Sequence, residues 1–193
     1  MISVLILAAG QSKRMGRPKM TLAWGQTTVL GHVIRVFRAA GVEDVLIVSG
    51  GDRTAVDQIA AECDARTVFN PSYADEAMLS SLQVGLRAMT AKTEATFVAL
   101  GDQPQILEST VRLLVNEYLR ASAPLIVPSY EMRRGHPWLV NRALWTDILR
   151  MQTPQTPRDF LHSHARTIVH VVVDTPTVLA DLDTPADYLK SGG

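Results

Sequence analysis

Cysteine is almost absent from this chain: of 193 residues only Cys63 carries a thiol. That excludes a disulfide framework and any cysteine-built zinc or iron–sulfur centre within one chain, and it suits a reducing compartment, with the cytosol as the expected location. Net charge is absent too, 19 basic groups facing 19 acidic ones. Nothing therefore draws the whole molecule to nucleic acid or to an anionic membrane, and neither is expected as a partner. No apolar run approaches the ~20 residues that span a bilayer. The first, Ile2 to Ala9, also lacks the basic flank of a secretion signal and reads as a strand. Linkers and repeats are missing as well, which points to a single domain over residues 1–193. A chain of this length buries about 70% of the surface it exposes when unfolded and needs no covalent staple.

Short apolar runs alternate with stretches of helical period. Ile2 to Leu7, Asp44 to Ser49, Thr96 to Leu100, Pro124 to Pro128 and Thr167 to Val173 are of strand length and mostly too uniformly apolar to keep one face in water, so they read as buried parallel strands. Between the first two, Val29, Leu30, Val33, Ile34 and Phe37 recur at helical spacing, with Gly41 placed to cap the helix. Helical spacing returns at Val56, Ile59 and Ala60, at Leu79, Leu82, Leu86 and Met89, and at Val111, Leu114, Val115, Tyr118 and Leu119. Thr156-Pro157-Arg158-Asp159 and Thr184-Pro185-Ala186-Asp187 carry the Thr cap, first-turn Pro and nearby acid of a helix start. The expected fold is a three-layer α/β/α sandwich on a Rossmann-like, mostly parallel sheet, with its ligand at the carboxyl ends of the strands.

The first strand leads into Leu7-Ala8-Ala9-Gly10-Gln11-Ser12-Lys13-Arg14-Met15-Gly16-Arg17-Pro18-Lys19, a loop of small residues followed by four cations within seven positions. Small residues let backbone N–H groups approach an anion, and long cationic side chains neutralise what remains; a triphosphate needs both. The first 42 residues hold six bases (Lys13, Arg14, Arg17, Lys19, Arg35 and Arg38) and no acid. The loop is neither of two familiar phosphate loops: five residues separate Gly10 from Gly16 and Arg17 follows, against the G-x-x-x-x-G-K-[ST] pattern, and G-x-G-x-x-G is missing. Asp102 follows the strand ending at Leu100, so its carboxylate should stand at the sheet's carboxyl edge beside this loop, with Pro104 turning the chain away. Mg²⁺ is commonly held by one or two carboxylates plus substrate phosphates and water, so a second acid is expected.

Leu-Ala-Ala-Gly-x-Ser-x-Arg-Met-Gly-x-x-Lys resembles the signature of the MobA-like nucleotidyltransferases, in particular their molybdenum cofactor cytidylyltransferase branch. Asn70-Pro71, Met78 with Ser81-Leu82, Gly101-Asp102-Gln103-Pro104, Gly135-His136-Pro137 and Asp181-Leu182-Asp183-Thr184-Pro185 follow in the family's order. The resemblance implies the fold of the nucleotide-diphospho-sugar transferases, a nucleoside triphosphate with CTP favoured over GTP, a molybdopterin-type acceptor, and a molybdoenzyme or its chaperone downstream. It assigns the nucleotide to Leu7, Ala8, Ala9, Gly10, Ser12, Arg14 and Lys19, its base and ribose to the neighbourhood of Asn70 and Ser81, and Mg²⁺ to Asp102. Arg14, Lys19 and Asp102 become the catalytic set. Asp183 is the chosen second metal ligand, with Asp181 as the alternative. The same resemblance places Arg134, Gly135 and His136 near the acceptor; from the residues alone, Arg133 and Arg134 read equally as a solvated hairpin tip and His136 as a loop histidine bonded to backbone.

His32, His162, His164 and His170 show no metal spacing, and Cys63 has no neighbouring cation to make it a nucleophile. The expected reaction is attack on the α-phosphorus by a phosphate oxygen of the acceptor, releasing pyrophosphate, which asks for cations and acids but no catalytic base. Ala9, where guanylyl-transferring relatives typically carry Gly, resembles the CTP-using branch, and that resemblance implies CTP. Two other readings stand beside this one: transfer to a sugar or polyol phosphate, and a non-catalytic module that carries nucleotide or molybdopterin.

Overall fold

A computed structural model of the chain describes residues 1–12, 15–75 and 78–191. Its sheet contains β1 (Ile2–Ala8), β4 (Asp44–Ser49), β5 (Arg66–Phe69), β6 (Ala95–Leu100), β7 (Leu125–Tyr130), β8 (Arg133–Arg134), β9 (Trp138–Asn141) and β10 (Ile168–Val172). A separate ribbon pairs β2 (Ala23–Trp24) with β3 (Thr27–Thr28). The helices are α1 (Val29–Ala39), α2 (Arg53–Glu62), α3 (Met78–Ala88), α4 (Glu108–Ala121), α5 (Trp145–Arg150), α6 (Pro157–Ser163) and α7 (Pro185–Lys190). In the sheet the order is β10-β7-β9-β6-β1-β4-β5, with β8 paired to β7.

The side-chain period of two explains the layers. Val4, Ile6 and Ala8 of β1 join one apolar cluster with residues of α1, α2 and α4. Leu5, Leu7 and the following Ala9 join another with residues of α3, α5 and α6. Both faces of β1 are thus covered, which is why its sequence is continuously apolar. Each fully buried Leu, Ile or Val contributes roughly 1.5–3 kcal/mol relative to exposure. The three-layer α/β/α architecture is the one the sequence predicts.

Helix ends follow their local chemistry. At the end of α1, Gly41 takes φ +89°, its N–H donates to the Arg38 carbonyl, and Val42 N–H donates to that of Phe37. This paired closure needs the left-handed conformation that glycine adopts without strain. Thr156 with Asp159, and Thr184 with Asp187, form the reciprocal capping boxes expected at the starts of α6 and α7.

One strand assignment needs correction. The strand expected over Thr167 to Val173 forms as β10, Ile168–Val172, and His170 and Val172 are exposed because it lies at the sheet's edge. Two further strands carry no strong signal of their own: β5 is an edge strand with two exposed residues, and β9 is a four-residue strand running antiparallel between β6 and β7. Among the described residues no helix is long and apolar enough to cross a membrane.

The chain leaves β1 toward β4 and β5, then crosses back to β6 on the other side of β1. Sheet order reverses at that point, and the loops after β1 and β6 diverge around it. Leu7 pairs with Leu100, and Gly101 N–H donates to the Leu7 carbonyl at 3.0 Å, so Gly10 and Asp102 leave the sheet side by side.

Candidate active site

At this reversal lies a pocket of about 370 Å³. Leu7, Ala9, Gly10 and Ser12 line it from the first loop, Tyr73, Met78 and Ser81 from the region after β5, and Leu100 and Asp102 from β6. Lys19 and Asp183 complete the ring of charged groups.

The loop after β1 is held in a particular shape. Ser12 takes φ +50°, its hydroxyl oxygen accepts the Lys19 N–H at 3.0 Å, and its carbonyl accepts the Met15 N–H at 3.0 Å. The chain thereby doubles back and delivers Lys19 into the pocket, where the residue is 8% exposed. Lys19 Nζ donates to Asp102 Oδ2 at 3.1 Å and to Asp183 Oδ1 at 3.0 Å. Two carboxylates far apart in sequence therefore meet across one ammonium.

That donor set fits a divalent cation. The ammonium stands in for one positive charge between two hard oxygen donors, and Mg²⁺ accepts such a pair when phosphate and water complete its shell. Among the described residues no group of three or more His, Cys, Asp or Glu could hold a metal by itself.

Asp181 bonds Gln103 instead of Lys19: its Oδ1 accepts Gln103 Nε2–H at 2.5 Å. Burial, reinforced by the charges of Asp102 and Asp183, pushes its carboxyl above the usual range, against the Gln103 hydrogen bond and the Lys19 charge.

Asn70 follows β5 and is fully buried. Its amide donates to Ser80 Oγ at 3.0 Å and Ser81 Oγ at 2.9 Å, while its Oδ1 accepts the Ser72 N–H at 3.0 Å. It braces the wall formed by the start of α3 from behind; Ser81 and not Asn70 reaches the pocket.

Gly50, at the end of β4, abuts the same loop. A Cβ there would meet the Ala9 carbonyl oxygen and lie 2.8 Å from the Ala9 Cα. Because the obstructing atoms are backbone, Gly50→Ala should displace the loop itself. We expect a stability loss of about 1–3 kcal/mol, seen as a lower Tm, together with a raised KM for the nucleotide in steady-state assays.

A profile of the MobA-like NTP transferase domain matches residues 4–168. The chain belongs to the MobA-like NTP transferase family. It is 26% identical to the molybdenum cofactor cytidylyltransferase of Escherichia coli (strain K12) over 98% of this chain and 95% of that protein. Among solved structures, Rv0371c from Mycobacterium tuberculosis H37Rv superposes with a TM-score of 0.85 at 29% identity, covering 98% of this chain and 96% of that one. A manganese complex of the same protein gives a TM-score of 0.80 over the same shares at 29% identity.

In this MobA-like transferase the structure brings together Leu7, Ala9, Gly10, Ser12, Lys19, Ser81, Asp102 and Asp183. Ala8 points to the other face of the sheet, into the α1 side of the core. Arg14 and Lys13 lie outside the described residues. Of the other early bases, Arg38 donates to the Asp64 carbonyl at 2.8 Å and Arg17 lies over the Tyr188 ring at 5.6 Å. Gln11, Met20, Tyr73, Ala74, Met78 and Leu100 also line the pocket, and of these Met20, Tyr73 and Ala74 carry no sequence signal that would place them there. Tyr73 and Ala74 come from a short 3₁₀ turn, Tyr73–Asp75, that has no periodic signature.

Arg134, Gly135 and His136 are outside the pocket lining but at the same edge of the sheet. Trp138 opens β9 opposite Val98 of β6, so the preceding residues lie beyond it toward the carboxyl ends of the parallel strands. Arg134 is exposed on the β7–β8 hairpin, as the solvated reading has it. Gly135 is required by packing, since a Cβ there would meet the Val178 carbonyl and lie 2.7 Å from its Cβ. His136 donates its backbone N–H to the Val178 carbonyl at 2.9 Å and stacks on Trp138 with centroids 4.6 Å apart.

His136 is partly exposed as a residue, yet its Nε2 is buried with no hydrogen-bond partner among the described residues. Burial, with Arg158 adding to it, pushes the imidazole down to about 4. Between pH 6.5 and 4 the unfolded chain binds a proton at this residue and the native protein does not, so stability falls on acidification and the loss levels off below about pH 4. The linked cost at pH 4 is about 3 kcal/mol. Urea denaturation at pH 7 and pH 4 should show that much more acid sensitivity in the wild type than in His136→Phe.

Proposed function

We propose that the chain, acting as one domain over residues 1–193, transfers CMP from CTP to the phosphate of a molybdopterin-type acceptor in the presence of Mg²⁺, releasing pyrophosphate. The observation that carries this reading is the convergence of Asp102 and Asp183 on the Lys19 ammonium at the edge of the pocket built by the first loop. Similarity over nearly the whole chain to a molybdenum cofactor cytidylyltransferase supports the acceptor, and Ala9 supports CTP over GTP. The manganese complex of the M. tuberculosis relative supports a divalent ion.

In this reading the backbone from Leu7 to Ser12 lies along the phosphates, where small side chains leave its N–H groups accessible. Lys19 turns from the carboxylates to the pyrophosphate as it leaves, joined by Arg14. Asp102 and Asp183 would hold a divalent ion, which when bound would supply positive charge to the phosphoryl group being transferred. Ser81 borders the base and ribose, with Asn70 fixing its position from behind. Arg134 offers a guanidinium to the acceptor's phosphate, with Gly135 and His136 shaping the approach. A phosphomonoester is largely dianionic at pH 7, so no side chain need take its proton. In-line placement and charge compensation do the work.

Pyrophosphate release measured with each of the four nucleoside triphosphates, with molybdopterin, with a sugar 1-phosphate and without acceptor, tests the reading. Release is expected with CTP and molybdopterin. Preference for GTP would overturn the CMP assignment, release with the sugar phosphate alone would overturn the acceptor, and nucleotide binding without release under any condition would make the protein a carrier.

A further inference from the structure

Gln103 belongs to the Gly101-Asp102-Gln103-Pro104 segment, yet the reaction above gives it no task. The residue is 4% exposed, and its amide is committed to Asp181. We infer that Gln103 is a positioning residue: by holding Asp181 it fastens the 181–183 segment to the turn after β6 and presents Asp183, not Asp181, to Asp102 across Lys19. This rests on the reading of Asp102 and Asp183 as ligands of a divalent ion.

The segment has no regular secondary structure, so its alignment must come from contacts on either side of Asp183. Asp181 and Asp183 are two apart, the spacing that puts both side chains on one face of an extended stretch. Both therefore compete for the same turn. Leu182 points the other way and is fully buried in a small cluster with Met15, Leu22, Val29 and Tyr188. Its N–H donates to the Asp102 carbonyl at 3.1 Å, which ties the two carboxylate-bearing loops together through backbone. Beyond Asp183 the capping box of Thr184 and Asp187 begins α7. The backbone tie sets how close the loops come; the Gln103 bond sets which acid faces the cation. With that bond gone, Asp181 is released beside Asp102 and Lys19, and the register of Asp183 is no longer fixed from its N-terminal side.

Metal-supporting groups of this kind typically change affinity by about 10–100-fold when removed. Mn²⁺ binding followed by electron paramagnetic resonance, with a non-hydrolysable CTP analogue present, reads the effect directly. Gln103→Leu should weaken Mn²⁺ by about tenfold or more and lower kcat at saturating CTP more than it raises the KM for CTP. Asp181→Ala, with its folding checked by thermal denaturation, should weaken Mn²⁺ to the same extent, and the double variant should be no worse than either single one. Asp181→Asn keeps an acceptor oxygen and should retain affinity to within a few-fold. Wild-type Mn²⁺ affinity in Asp181→Ala overturns the proposal, as does loss of affinity in Asp181→Asn, which would make Asp181 itself a ligand. Asp102→Ala distinguishes the two levels: if it too binds Mn²⁺ normally, the metal reading fails and the positioning role falls with it; if it loses Mn²⁺ while Asp181→Ala does not, only the positioning role fails.

Discussion

Asp102→Ala is expected to lower kcat by about 10³-fold or more while the protein stays folded. The loss is large because the carboxylate is required only where negative charge is being rearranged, in a site built to compensate it. Folding survives for reasons visible in the contacts. Asp102 is partly exposed, with 22% of its side-chain surface accessible. Lys19 keeps Asp183 as a partner at 3.0 Å when Asp102 is removed, so it avoids the roughly 3–5 kcal/mol cost of a buried charge stripped of its sole counterion. The backbone bond from Leu182 to the Asp102 carbonyl does not depend on the side chain. Pyrophosphate release and thermal denaturation on the same preparation check both halves. Near-normal turnover would remove the metal from the mechanism.

Lys19→Met should be nearly as damaging to catalysis, about 10²–10³-fold in kcat, but with the opposite signature in stability. Methionine fills similar volume and leaves Asp102 and Asp183 facing each other without the ammonium between them. Like charges that shared one ammonium repel once it is removed, so the variant should melt below the wild type at neutral pH. Adding Mn²⁺ should restore much of the difference, because an ion that binds the native state alone stabilises it by mass action. A Tm that rises more steeply with Mn²⁺ in Lys19→Met than in the wild type is the expected result. Equal responses would mean that the two carboxylates do not form a shared cation site.

The sequence discloses the fold where burial is symmetrical and hides it where it is not. β1, β4 and β6 are continuous apolar runs because helices cover both faces, and each is legible as a buried strand. β5 has a sheet edge on one side and two exposed residues, and its Arg66 makes a surface ion pair with Asp44 instead of packing. It therefore lacks the signal of a strand. The direction of β9 is set by neighbours on both sides, which no local pattern encodes. α5, at six residues, is shorter than the window in which helical period can be read.

At the site, Lys19, Asp102 and Asp183 are legible because their chemistry is carried by the motifs in which they stand. Tyr73 is not, since it lines the pocket through tertiary placement of a 3₁₀ turn. Gln103 is a related case: only the folded chain reveals that its amide reaches Asp181, 78 positions away. Asn70 is intermediate, present at the expected wall but acting from behind it.

Crystals grown with a non-hydrolysable CTP analogue and Mn²⁺, with data collected at the manganese absorption edge, test the central claim most directly. The account predicts one anomalous peak per chain, roughly 2–2.6 Å from an oxygen of both Asp102 and Asp183, with Lys19 moved onto the phosphates. A peak distant from either carboxylate, with the analogue bound elsewhere than the loop after β1, would contradict it.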